Sequence, residues 1–283
     1  MSVIPNETPE TKAPDHQTVR FTTIDALVRT AVFDGDTAAR ENARHEIRRT
    51  AASLGILPAS IEDLYRAIGR GETGRPPFTV PAMNLRAMTY DAARAVFRAA
   101  RRLEVGAFIL EIARSEMGYT DQRPGEYAAV VLAAAIREGH SGPVFIQGDH
   151  FQANAKKFAT DPATEIKAIE ALIAEAIPAG FFNIDIDTST LVDMSQPTEP
   201  LQQRVNSETA AHFTRFIRAR EPKGVTISVG GEIGEVGKDV SSPEEFRAFM
   251  DGYLTHLPPG MPGVSKISVN TGTSHGGVVL PDG

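Results

Sequence analysis

From Phe78 onward, short apolar runs alternate with longer segments of helical spacing, and this alternation restricts the fold more than any other feature of the chain. The runs Phe78–Asn84, Gly106–Ile112, Pro143–Gly148, Phe182–Asp187, Val225–Gly231 and Ser265–Asn270 predict six strands. Helix starts stand between them: Thr89 before Tyr90–Leu103, Asp161 with Pro162 at the first helical position, and the capping box Ser242-Pro243-Glu244-Glu245. Strands joined by helices run parallel, because a crossover of that length carries the chain back to the same edge of the sheet. The predicted fold class is therefore α/β, a parallel sheet with its helices outside.

The region before Phe78 has a different rhythm. Residues 1–21 are polar and proline-containing and predict a flexible tail without the apolar segment of a signal peptide. Residues 22–75 place Ile24, Leu27, Val28 and Ala31, and then Ile47, Ala51 and Leu54, at helical spacing, which predicts a helical N-terminal extension. Gly69-Arg70-Gly71-Glu72-Thr73-Gly74-Arg75-Pro76-Pro77 interrupts every pattern, so residues 76–283 are read as a separate, barrel-like unit.

Composition removes several classes of function. The chain has 283 residues and a formal net charge of −7, which gives no electrostatic reason to bind nucleic acid or an anionic membrane. Its longest aliphatic stretch, Ala128–Ile136, falls far short of the ~20 residues that span a bilayer. The absence of cysteine excludes disulfides, thiolate ligands and a cysteine nucleophile, fits a cytoplasmic location, and leaves any metal to His, Asp and Glu. No glycine-rich phosphate loop is present.

The chemistry-bearing residues fall where strands end. Asp149-His150 closes the run Gly142-Pro143-Val144-Phe145-Ile146-Gln147-Gly148, and Gly231-Glu232-Ile233-Gly234 and Thr273-Ser274-His275-Gly276 close two later ones. The C-terminal ends of parallel barrel strands are where such folds carry their active sites. Asp185 and Asp187, two apart, share one face of their strand and would be costly to bury without partners.

Six segments carry a family resemblance when taken in order: Pro81-Ala82-Met83-Asn84, Phe108 to Ser115, Phe145 to His150, Ala179 to Ser189, Ile227 to Gly234, and Thr271 to Gly277. Together they resemble the class II, metal-dependent fructose-bisphosphate and tagatose-bisphosphate aldolases over about three quarters of the chain. The resemblance implies a TIM (β/α)8-type barrel, of which about six strands are present here. It also implies a zinc-dependent lyase of carbohydrate metabolism, such as glycolysis. That enzyme would reversibly cleave a ketose phosphate to dihydroxyacetone phosphate and an aldehyde. Asp149 would be the acid/base; His150, His275 and Glu232 the Zn2+ ligands; and Ser115, Gly276, Gly277, Asn84 and Asp187 the substrate and phosphate contacts. A monovalent cation and a homo-oligomer, dimer or tetramer, come with the same resemblance.

The chain also departs from that pattern. Gly230 stands where these aldolases commonly carry a glutamate, and Glu111 where a neutral polar residue is usual. After the fifth strand, Asp239 and Glu235 compete for one acidic role. No histidine follows His275, so the family's third zinc-binding histidine is absent, which predicts a fragment of a longer polypeptide. Two alternatives follow: a non-catalytic barrel subunit supporting a tagatose-bisphosphate aldolase, and another metal-dependent barrel lyase.

Overall fold

The computed structural model describes residues 16–74, 78–234 and 240–272. Its N-terminal part comprises helices α1 (His16–Phe33) and α2 (Thr37–Ser53), a short strand β1 (Leu57–Pro58) and helix α3 (Glu62–Gly69). Helix α1 thus begins inside the stretch read as a tail. The alternating part follows as β2 (Ala82–Asn84), α4 (Thr89–Arg102), β3 (Ile109–Ala113), α5 (Arg114–Thr120), α6 (Pro124–Arg137) and β4 (Pro143–Gln152). Next come α7 (Ala155–Thr160), α8 (Pro162–Ala179), β5 (Asn183–Asp187), a 3-10 turn (Ser189–Leu191), α9 (Glu199–Gln202) and α10 (Arg204–Arg218). The described part ends with β6 (Ser228–Glu232), α11 (Pro243–Thr255) and β7 (Lys266–Ser268).

Strands β2 to β7 pair in sequence order, every pair parallel, in a curled sheet that makes part of a barrel. Five of the six lie wholly within or within one residue of the predicted runs; β4 continues four residues further, to Gln152. Two of the predicted helix starts form as read. Asp161 accepts from the Thr164 amide at 3.2 Å, and Ser242 and Glu245 exchange the two bonds of a capping box at 2.6 and 3.1 Å. Thr89 does not cap α4; it is the first helical residue, Met88 before it lies in the left-handed region, and its hydroxyl bonds Gln122 at 2.6 Å.

Helix α6 accounts for the N-terminal helices. Tyr127 to Ile136 are all buried, so the helix is apolar on every side, and such a helix needs cover on the face turned away from the sheet. Helices α1 and α2 supply it, packing on α6 through Ile24, Val28, Ala31, Ala43, Ile47 and Ala51. Strand β1 pairs in parallel with the start of β4, and Asn183 ties the following loop to the sheet through Ile61 N–H at 2.8 Å and Ala59 C=O at 3.1 Å. The extension thus docks on the side of the barrel and across its N-terminal end. Among the described residues no helix is long and apolar enough to cross a membrane.

Candidate metal centre

The site is made by a fault in β4. Gly148 pairs with Ile184 and Phe151 with Ile186, so three steps along β4 match two along β5 and one residue is extra. The bulge leaves His150 at φ 41, a left-handed conformation that a non-glycine residue rarely holds. Gly148 permits it, because a Cβ there would meet the buried Phe151 ring, 3.1 Å from Cδ1 and nearer still to its tip. In a regular strand, neighbouring side chains point to opposite faces. Here Asp149 and His150 both turn to the site, and His150 Nδ1 stands 2.5 Å from Asp149 Oδ1.

Three strand ends converge on this point. His150 Nε2 faces Glu232 Oε2 of β6 at 3.5 Å, and one ligand atom from each of His150, Asp187 and Glu232 lies within 4.8 Å of the others. The Asp187 carboxylate and the backbone at Glu232 are held from behind. Asp187 accepts from Ser189 Oγ at 2.7 Å, the Ser189 amide at 3.1 Å and Gln152 Nε2 at 2.5 Å. The backbone at Glu232 is fixed by a buried amide network from α10: Asn206 Nδ2 donates to Glu232 C=O and Gln203 Nε2 to Ile233 C=O, both at 2.9 Å. Thr188 Oγ1 donates to Asn206 Oδ1 at 2.6 Å, so one network joins the ends of β5 and β6.

Among the described residues the site is short of positive charge: Asp149, Asp185, Asp187, Glu111 and Glu232 point inward against one lysine, Lys266, and one imidazole, His150. Burial, with the Asp187 charge adding, pushes the Glu232 carboxyl up to about 8. The bond to Asp149 raises His150 to about 10, against the opposing effect of burial. A cation would displace these protons, and an imidazole with two carboxylates is a donor set that suits zinc and similar divalent metals. Asn84 adds a buried carbonyl oxygen without a hydrogen-bond partner among the described residues, while its Nδ2 donates to Asp149 Oδ2 at 3.2 Å.

A second polar layer lies beneath. Lys266 Nζ pairs with Asp185 Oδ1 at 2.7 Å and donates to Gln147 Oε1; Gln147 Nε2 donates to Asp185 at 3.0 Å and to Glu111 at 2.5 Å. Burial, with Asp149 second, pushes the Glu111 carboxyl up to about 7. The Tyr65 ring of α3 backs the ammonium at 5.5 Å. Gly230 makes this layer possible, since a Cβ there would lie 2.8 Å from Lys266 Cε and overlap Asp185. The two departures from the aldolase pattern, Gly230 and Glu111, are thus parts of one arrangement.

Of the residues read from sequence, Asp149, His150, Asp187, Glu232 and Asn84 come together. Ser115 is exposed in the first turn of α5. His275, Gly276, Gly277, Glu235 and Asp239 lie outside the described residues. Sequence reading passed over Lys266, Gln203 and Asn206; for Lys266 the signal was a lysine entering an apolar strand in register with Gly230.

No family model and no curated protein matches the chain. A solved structure of a probable tagatose 6 phosphate kinase from Sinorhizobium meliloti 1021 is similar at 19% identity and a TM-score of 0.48, over 69% of this chain and 50% of that one. The chain spans half the length of that structure.

Proposed function

We propose that this chain carries the metal centre of a carbon–carbon lyase of the class II aldolase type, acting on a phosphorylated ketose through an enediolate, on a TIM-type barrel to which β2–β7 contribute six consecutive strands. The observation that carries the reading is the meeting of His150, Asp187 and Glu232 within 4.8 Å, with Asp149 next to the imidazole on the same bulge.

A divalent cation held by these three side chains would polarise the substrate carbonyl and stabilise the negative charge left when the bond breaks. Asp149 takes up the proton of the hydroxyl beside that bond and returns it in the reverse direction. Its Oδ1 accepts from His150 Nδ1–H, which turns Nε2 toward Glu232 and Asp187. Its Oδ2 is held by the longer bond from Asn84, 3.2 Å, the contact a substrate hydroxyl displaces more easily. Ser189 and Gln152 hold the Asp187 carboxylate and Asn206 holds the backbone of Glu232, so much of the ligand set is formed before any cation arrives.

The test is metal content and turnover together. Purified protein should contain about one divalent metal per chain by elemental analysis and should release dihydroxyacetone phosphate from a ketose phosphate in a coupled assay. Asp149→Ala should keep the metal and lose the turnover. Protein that takes up no divalent metal at neutral pH, or an Asp149→Ala variant that is fully active, overturns the reading.

A further inference from the structure

A cavity of ≈ 90 Å³ opens beside the metal centre, lined by Asp149, His150 and Glu232 on one side and by Asp185, Gly230 and Lys266 on the other.

Lys266 is built to act in that space. An ammonium carries three N–H donors. Among the described residues Gln147 Oε1 accepts from it and Asp185 Oδ1 pairs with its charge at 2.7 Å, occupying two of its directions, while Tyr65 presents its ring face. That leaves one N–H for an oxygen in the cavity. The carboxylates around it repel a second anion but accept from hydroxyls, so the complementary ligand is an uncharged carbonyl or hydroxyl oxygen that gains negative charge during the reaction. Gly230 keeps the lysine's approach open, because any side chain there would displace Lys266 Cε and Asp185.

We propose that Lys266 is a further catalytic residue of this site, donating its remaining N–H to the substrate oxygen that becomes the enediolate oxygen and so sharing with the metal the stabilisation of that charge. The proposal rests on the metal-lyase reading above and assigns the lysine no covalent step. A preformed donor aimed at a developing oxyanion acts mainly on the transition state, so its loss lowers kcat more than it raises KM.

The experiment uses the whole chain, titrated first with Zn2+ and then, zinc-loaded, with glycolohydroxamate, a small bidentate mimic of the enediolate. Lys266→Met should keep zinc affinity within about threefold, bind glycolohydroxamate at least ~10-fold more weakly and lose roughly 10²–10³ in kcat, the usual consequence of removing one oxyanion donor. Gly230→Ala, which keeps the lysine but displaces it, should weaken hydroxamate binding in the same direction. Lys266→Gln serves if the Met variant fails to give a folded circular-dichroism spectrum. Unchanged hydroxamate affinity in zinc-loaded variants overturns the role of Lys266 and leaves the metal centre standing. Loss of zinc binding in the Lys266 variants overturns it as well, by reducing the lysine to a support of the ligands. Wild-type protein that binds no zinc overturns the metal reading and this proposal together.

Discussion

His150 Nδ1 and Asp149 Oδ1 approach to 2.5 Å between adjacent residues of one strand, a contact that the left-handed backbone at His150 makes possible. The bulge therefore fixes the imidazole's orientation as well as its position.

Replacing Asp149 by Asn keeps the shape of that contact and removes its charge. The His150 pKa should fall from about 10 toward its ordinary value of 6.5, read from the imidazole resonances of metal-free protein during a pH titration. Turnover should fall by roughly 10²–10⁴ with loss of the proton acceptor. A His150 titration that does not move shows that the bond to Asp149 is not what holds the proton.

The pH dependence of stability has a definite sign. Glu232, Glu111 and His150 all sit above their ordinary values in the folded protein, at about 8, about 7 and about 10. The folded state then keeps protons that the unfolded chain has released, so the stability from these groups is complete below the unfolded values and is lost as pH rises through the folded ones. The window runs from the ordinary carboxylate value of 4.5 up to about 10. Metal-free protein should therefore melt at a higher temperature at pH 6 than at pH 9 by calorimetry, and its zinc affinity should rise over the same interval as protons are displaced. A melting temperature that climbs from pH 6 to pH 9 without metal contradicts the assignment.

Asn206 ties β5 to β6 from behind the site. Asn206→Ala leaves the Glu232 carbonyl and Gln203 Oε1 without the Asn206 amide donor and takes from the Thr188 hydroxyl one of its two acceptors, at a cost of about 1–3 kcal/mol. Denaturant unfolding should show that loss together with a weaker zinc affinity. A loss of stability with unchanged metal binding would show that the network supports the fold alone.

Ile47 tests the outer helical layer. It is fully buried on α2 in the cluster that covers α6, and Ile47→Ala should destabilise the whole chain by about 2–5 kcal/mol. Because α1 and α2 cover a helix that packs on the barrel, thermal unfolding should remain one transition. Separate melting of residues 22–75 would contradict that coupling.

The strands were legible because parallel strands are buried on both faces and so read as continuous apolar runs, and two helix starts were legible because capping is local chemistry. Asp149, His150 and Glu232 stood out as strand-end residues, since strand ends in a parallel sheet gather at one edge, and their roles and that of Asp187 came from the resemblance to class II aldolases. The bulge was not legible: it depends on the Phe151 ring folding against Gly148, a packing choice no short window records. Nor was the Lys266 layer, whose members come from β3, β4, β5, β7 and α3. The cover over α6 did leave a trace, in that Ala128–Ile136 is too uniformly apolar to face solvent on any side.

The loop after β1 gives the folding process an order. Ile61 N–H bonds Asn183 across 122 residues, and the Ser228 amide bonds Ser60 Oγ across 168. During synthesis, at about 5–20 residues per second, Ser60 waits roughly 10–30 s for that partner to be made. The contact between Ser60 and Ser228 therefore cannot form until β6 is made, 168 residues after the segment that supplies the hydroxyl. Variants at Ser60 or Asn183 should lower stability in denaturant unfolding, since each leaves a long-range backbone amide without its side-chain acceptor.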